Sequence, residues 1–164
     1  MFHIGERVVY GIHGVCKIVD LEEKRVDSKM VVYYVLQPMD QPQSRFYIPK
    51  DNPAAVAKLS KLLTKLELEK LFQCDPEGVW IEDEGQRKQY YRQLISSSDR
   101  ASLIAMVRCL HRHRAQQLAS GKKLHLSDEN FMRDAQRIIE GEISQVLDIP
   151  IDQVGNYLAK VFEK

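Results

Sequence analysis

No run in these 164 residues approaches the ~20 consecutive apolar positions that a membrane-spanning helix needs. The opening Met1-Phe2-His3-Ile4-Gly5-Glu6 lacks the basic-then-apolar order of a secretory signal. Cysteine is scarce: Cys16, Cys74 and Cys109 lie far apart, without CxxC spacing. An odd number of isolated cysteines argues against a disulfide framework and against a zinc site. All three are expected to be buried apolar thiols in a reducing cytoplasm. HExxH, GxSxG and GxGxxG are missing, which leaves zinc peptidase, serine hydrolase and dinucleotide chemistry without a motif. Ser120-Gly121-Lys122-Lys123 resembles the tail of a phosphate loop, but it follows a helical pattern and lacks the glycine five positions before Gly121. Glu82-Asp83-Glu84 suits the start of a helix better than acid–base work. His111 and His113, two apart on a helix, cannot face one ion together. No cofactor, no metal, no membrane contact and no enzymatic activity are therefore expected.

What the sequence does have is positive charge gathered in one internal segment. Residues 1–55 balance 7 basic against 7 acidic groups, residues 56–85 carry 4 against 7, and residues 124–164 carry 4 against 8. Residues 86–123 carry 9 against 1. Such asymmetry points to a polyanion more strongly than the overall balance does. The candidate phosphate-binding residues are Arg87, Lys88, Arg92, Arg112, Arg114, Lys122 and Lys123, around the motif Arg108-Cys109-Leu110-His111-Arg112-His113-Arg114. They would contact backbone phosphates, with no base sequence specified. A solvated helix pair is the competing reading, and the near absence of acids favours the nucleic-acid one. Trp80, the single tryptophan, adds either a wedge for a minor-groove step or a hydrophobic plug. Its neighbours Val79 and Ile81 favour the plug.

The periodicity changes along the chain. Arg7–Tyr10, the alternating Val15–Leu21, the β-branched and aromatic Met30–Leu36, and Ser44–Ile48 read as short strands, with Gly11–Gly14 a turn and Glu22–Lys29 a charged hairpin tip. Asp51–Leu63 suggests a short helix, and Thr64-Lys65-Leu66-Glu67 has capping-box spacing before a helix that reaches Phe72. Asp75-Pro76-Glu77-Gly78 interrupts. Further helices are expected from about Asp83 to Leu94, from Arg100 to Gly121 with an apolar face of Leu103, Val107, Leu110 and Leu118, from a Ser127 cap, and from Ile149-Pro150 with Val154, Leu158 and Phe162. The expected class is α+β: a small, strongly bent sheet or SH3-like β-barrel over residues 1–55 and an all-α domain over 56–164.

Phe2-His3-Ile4-Gly5-Glu6-Arg7-Val8-Val9-Tyr10, His13-Gly14-Val15, Tyr33-Tyr34-Val35-Leu36 and Phe46-Tyr47-Ile48-Pro49, followed by Leu94–Asp99, Val107–Leu110, Ala135–Ile139 and Gly141-Glu142, resemble the CarD/CdnL family of bacterial transcription regulators. That resemblance implies a Tudor-like β domain docked on the β subunit of RNA polymerase. It also implies a helical domain on promoter DNA just upstream of the −10 element, stabilising the open complex. The polymerase contact falls by position on Lys24 or Arg25 and on Arg45 or Tyr47. Tyr47 stands where the family often has arginine, with Arg45 as a substitute. The wedge tryptophan of the family aligns with Glu84, four residues after Trp80. A monomer associated with the nucleoid through polymerase is expected.

Overall fold

Glycine and short polar residues shape the first hairpins of the computed structural model, which describes residues 1–74 and 77–162. Strand β1 (Arg7–Tyr10) turns through one 3-10 turn, Gly11–His13, into β2 (Val15–Val26). Gly11 and Gly14 bracket that turn at φ +45° and +69°, a region that favours glycine. β2 pairs with β3 (Lys29–Pro38) from Cys16 opposite Pro38 to Val26 opposite Lys29, with one bulge at Ile18/Asp20. Asp27 and Ser28 make the turn at φ 47° and 66°, the mirrored geometry that matches strand twist. The charged stretch expected as a hairpin tip is therefore mostly strand. Its outer end is solvated on both faces, so no apolar alternation marks it.

β4 (Phe46–Pro49) lies beside β3, α1 (Pro53–Val56) follows an Asn52 cap, and β5 (Leu59–Lys61) returns to pair with β1. All pairs are antiparallel and the order is β4-β3-β2-β1-β5. The sheet ends in two edges and is not closed, so the expected barrel is replaced by an open five-stranded sheet. Val8, Cys16, Ile18, Tyr34, Leu36, Ile48 and Leu59 form its core. The unit runs Met1–Leu62, past the expected boundary at residue 55, because Leu59–Lys61 is a strand of this sheet.

The second unit, from Leu63, is helical. It contains α2 (Lys65–Gln73), α3 (Glu84–Ser97), α4 (Arg100–Ala119), α5 (Leu126–Leu147) and α6 (Ile151–Phe162). The α+β class thus holds for the whole chain. The capping box at α2 is present: Glu67 N–H donates to Thr64 Oγ1 at 3.2 Å, and Thr64 N–H donates to the Glu67 carboxylate at 2.7 Å. The Thr64 N–H and the Thr64 hydroxyl, both donating to the Glu67 carboxylate, hold it below the usual carboxylate range. Asp83 caps α3 by accepting from Gln86 N–H, and Ser98 at φ 55° separates α3 from α4. Leu103, Ile104, Met106, Cys109 and Leu110 of α4 are buried, as are Met132, Ala135, Ile138, Ile139 and Ile143 of α5.

Two helix expectations change. Leu118, expected on the apolar face, is 56% exposed. The N-cap of α5 is His125, and Ser127 sits inside the helix with its hydroxyl buried and unpartnered among the described residues. Asp75, Pro76 and the side chain of Phe162 lie outside the described residues. Glu142 of α5 accepts from Leu63 N–H at 2.8 Å and from Arg100 at 2.8 and 3.0 Å, fastening the first residue of the unit to its interior. Among the described residues no helix is long and apolar enough to cross a membrane.

Candidate protein and nucleic-acid interfaces

The sheet has an open edge at β4. Lys50 N–H donates to Val32 O at 2.8 Å. Antiparallel bonding alternates along a strand, so Ile48 and Phe46 turn their backbone groups toward β3. Tyr47 then turns its N–H and C=O outward, toward the free edge. Pro49 occupies the next outward position, where a missing N–H removes no ladder bond. The Tyr47 side chain is 41% exposed. The Lys24 ammonium lies 3.7 Å from the centre of its ring, and the Tyr33 ring meets it edge-on at 6.4 Å. Lys24 also reaches Glu22 at 3.9 Å.

Of the four expected polymerase contacts, Lys24 and Tyr47 are therefore in touch. Arg25 is exposed but, one residue on along β2, points to the opposite face of the ribbon. Arg45 donates to the carbonyls of Pro42 and Ser44 at 2.6 and 2.8 Å, bracing the loop before β4.

In the helical unit the basic residues separate into different roles. Arg87 is 2% exposed and is removed from the phosphate-binding set. Its Nε and Nη2 donate to Asp128, itself fully buried, at 2.8 Å each, and its Nη1 donates to the Ile81 and Glu82 carbonyls. The Asp128 carboxylate raises the Arg87 pKa further and keeps the guanidinium charged. Lys88 pairs with Glu84 at 3.0 Å and Arg112 with Glu77 at 3.3 Å, both at the surface. Arg92, Arg114, Lys122 and Lys123 are exposed. Arg114 lines a groove with Arg133 and Arg137 of α5, which Glu129 and Glu140 line as well.

Trp80 is half-buried. The His113 ring stacks on it at 3.6 Å and 15°, and the Arg87 guanidinium lies 4.3 Å from its ring centre. The indole N–H is buried without a partner among the described residues. His113 and Asp128 are thus structural residues that sequence reasoning misses. In the sequence His113 reads only as part of a basic face, and nothing local marks Asp128, forty-one positions from Arg87, as its partner. Just before Trp80, Gly78 presses on α4. A Cβ there would lie 2.5 Å from Ala105 O and 2.9 Å from Cys109 Cβ. Cys16 and Cys109 are buried as expected, but Cys74 is exposed. Among the described residues no group of three or more His, Cys, Asp or Glu could hold a metal ion.

Residues 2–62 match the family model of the CarD-like/TRCF RID domain, a span that coincides with the first structural unit. No curated protein gives a significant match to the chain.

Proposed function

We propose, from the match of residues 2–62 to the CarD-like/TRCF RID domain, that the chain is a cytoplasmic, non-enzymatic regulator of bacterial transcription. The N-terminal unit binds the polymerase β subunit. The helical unit contacts promoter DNA through phosphates and modulates the open complex.

The observation that carries the polymerase contact is the free β4 edge, where Tyr47 offers one donor and one acceptor beside the Lys24 ammonium. A partner strand added there gains affinity from main-chain bonds and selectivity from neighbouring side chains. Lys24, reaching over from β2, places a cation at Tyr47. Tyr47→Pro tests this. Proline is tolerated at an outward edge position, so the sheet persists while the outward N–H is lost. Affinity of the full chain for the β subunit should fall about tenfold or more, while Tyr47→Thr, which keeps the N–H, should lose less. Wild-type affinity in folded Tyr47→Pro would sink the edge reading.

DNA contact is supported by the exposed cations Arg92, Arg112, Arg114, Lys122 and Lys123. Binding should be insensitive to sequence and steep in salt. Replacing Arg112 and Arg114 with alanine should lower the log–log salt slope by ~0.9 for each phosphate that is no longer neutralised. An unchanged slope in a filter-binding titration would move the DNA surface elsewhere. A second reading, a protein-only adaptor, draws on the engagement of Arg87 and Trp80 inside the helical unit. Promoter footprinting with and without residues 63–164 separates the two.

A further inference from the structure

Two hollows on the helical unit meet at Gln136 and Glu140 of α5, which line both. Together they form one groove, with parts of about 490 and 520 Å³. One part lies between α4 and α6, over Val107, Gly155, Leu158 and Ala159. A Cβ built on Gly155 would meet nothing within 4 Å, so the missing side chain leaves the groove open there. The other part runs past Arg114 and Arg133 to Ile151, which is exposed. Leu118 lies one turn beyond Arg114, and Leu126 two turns before Arg133, on the same helix faces. Both are exposed. Single exposed apolar residues are ordinary, but a run of them along a groove marks a contact surface. The rim is basic. Arg108, Arg112 and Arg114 come from α4, which has no acid between Arg100 and Ala119, and Arg133 and Arg137 come from α5. Glu129 and Glu140 line the groove as well. Glu140 accepts from Gln136, and Arg112 meets Glu77 in a solvated pair that contributes little.

We propose that this groove docks an acidic amphipathic helix of a partner protein. The floor and the rim select it together. Such a helix seats apolar side chains at i, i+3, i+4 and i+7 along the floor, and its flanking carboxylates meet the rim arginines. Double-stranded DNA would satisfy the arginines, yet its phosphates bury nothing against Val107, Leu158, Ala159 or Ile151. A second copy of the chain would cover the apolar run. It would also set the same basic rim against itself, and like charges across an interface are unfavourable. Arg112 and Arg114 also serve the DNA reading, but the proposal does not rest on it.

The probe is a fluorescein-labelled helical peptide of about 18 residues, with leucine along one face and glutamate on the others. Two controls keep its length: one has serine for each leucine, the other lysine for each glutamate. Fluorescence anisotropy with the full chain should show saturable binding of the probe, and each control should bind at least about tenfold more weakly. Gly155→Leu tests the groove itself. Leucine forms helices better than glycine, and its Cβ has open space, so the fold persists with the floor filled and the charge unchanged. Probe affinity should fall about tenfold, while a DNA duplex titrated alongside should behave the same in both chains. Ala159→Leu repeats the test one turn away should circular dichroism show Gly155→Leu unfolded. No saturable binding of the probe overturns the proposal, as does equal affinity for either control or for a folded, filled groove. A duplex that loses affinity together with the probe would assign the groove to nucleic acid. A dimer in sedimentation that Gly155→Leu dissociates would assign it to a second copy. Either outcome overturns the partner helix.

Discussion

Asp128→Ala should lower the stability of the helical unit by about 3–5 kcal/mol. The magnitude follows from what remains behind. Arg87 keeps its charge at 2% exposure and loses both carboxylate bonds, leaving only the two carbonyls of Ile81 and Glu82. An uncompensated buried ion is far less favourable than the absence of the pair. The double substitution Arg87→Met with Asp128→Leu should therefore recover most of the loss, since apolar residues of similar volume often replace a buried pair without penalty. Urea unfolding of the four members of this cycle measures the coupling. A double variant as unstable as Asp128→Ala would mean that the packing of Arg87 against Trp80, rather than its charge, holds the unit.

Trp80→Ala is expected to destabilise the same unit by about 3 kcal/mol, at the lower end of the range for a large aromatic because Trp80 is half-buried. The loss comes from the stack on His113 and the contact with Arg87, while the orphan indole N–H offsets part of it. His113→Ala should show a smaller drop, with Trp80 losing one neighbour. A tryptophan poised to wedge DNA would behave otherwise. Removing it would leave the unfolding midpoint within about 0.5 kcal/mol of wild type and abolish promoter opening. Thermal unfolding alongside a promoter-opening assay distinguishes a plug from a wedge.

The sequence disclosed the elements that repeat a local pattern. The helix starts at Thr64 and Asp83 are legible because the capping residue and its target lie three positions apart. The turn Gly11–Gly14 is legible because glycine there has a geometric reason. β5 is not, since a three-residue strand among lysines is defined only by its partner β1. The sheet closure expected from the strand spacing also depends on long-range pairing, and the order of strands leaves both ends open. The candidate sites divide the same way. Basic residues can be counted in a sequence, but burial cannot. Arg87 and Lys88 are adjacent in sequence, yet one is the centre of a buried ion pair and the other holds a surface pair with Glu84. Lys24 and Tyr47 both stand out by position, while their mutual contact needs β2 and β4 to flank the same strand, β3.

The hydrogen bond from Leu63 N–H to Glu142 has a consequence for affinity. Leu63 opens the helical unit, and its N–H is fastened to the buried Glu142 carboxylate of α5. Two binding modules joined by a short connection see one another's targets at an effective concentration of about millimolar, provided both can engage at once. Under the proposed function, non-specific duplex binding with a dissociation constant of roughly 10⁻⁴ to 10⁻⁶ M would be strengthened once the other unit is on polymerase. Avidity of this kind requires no strong DNA site. Under the proposed function, the position of polymerase, and not the promoter sequence, would decide where the helical unit acts.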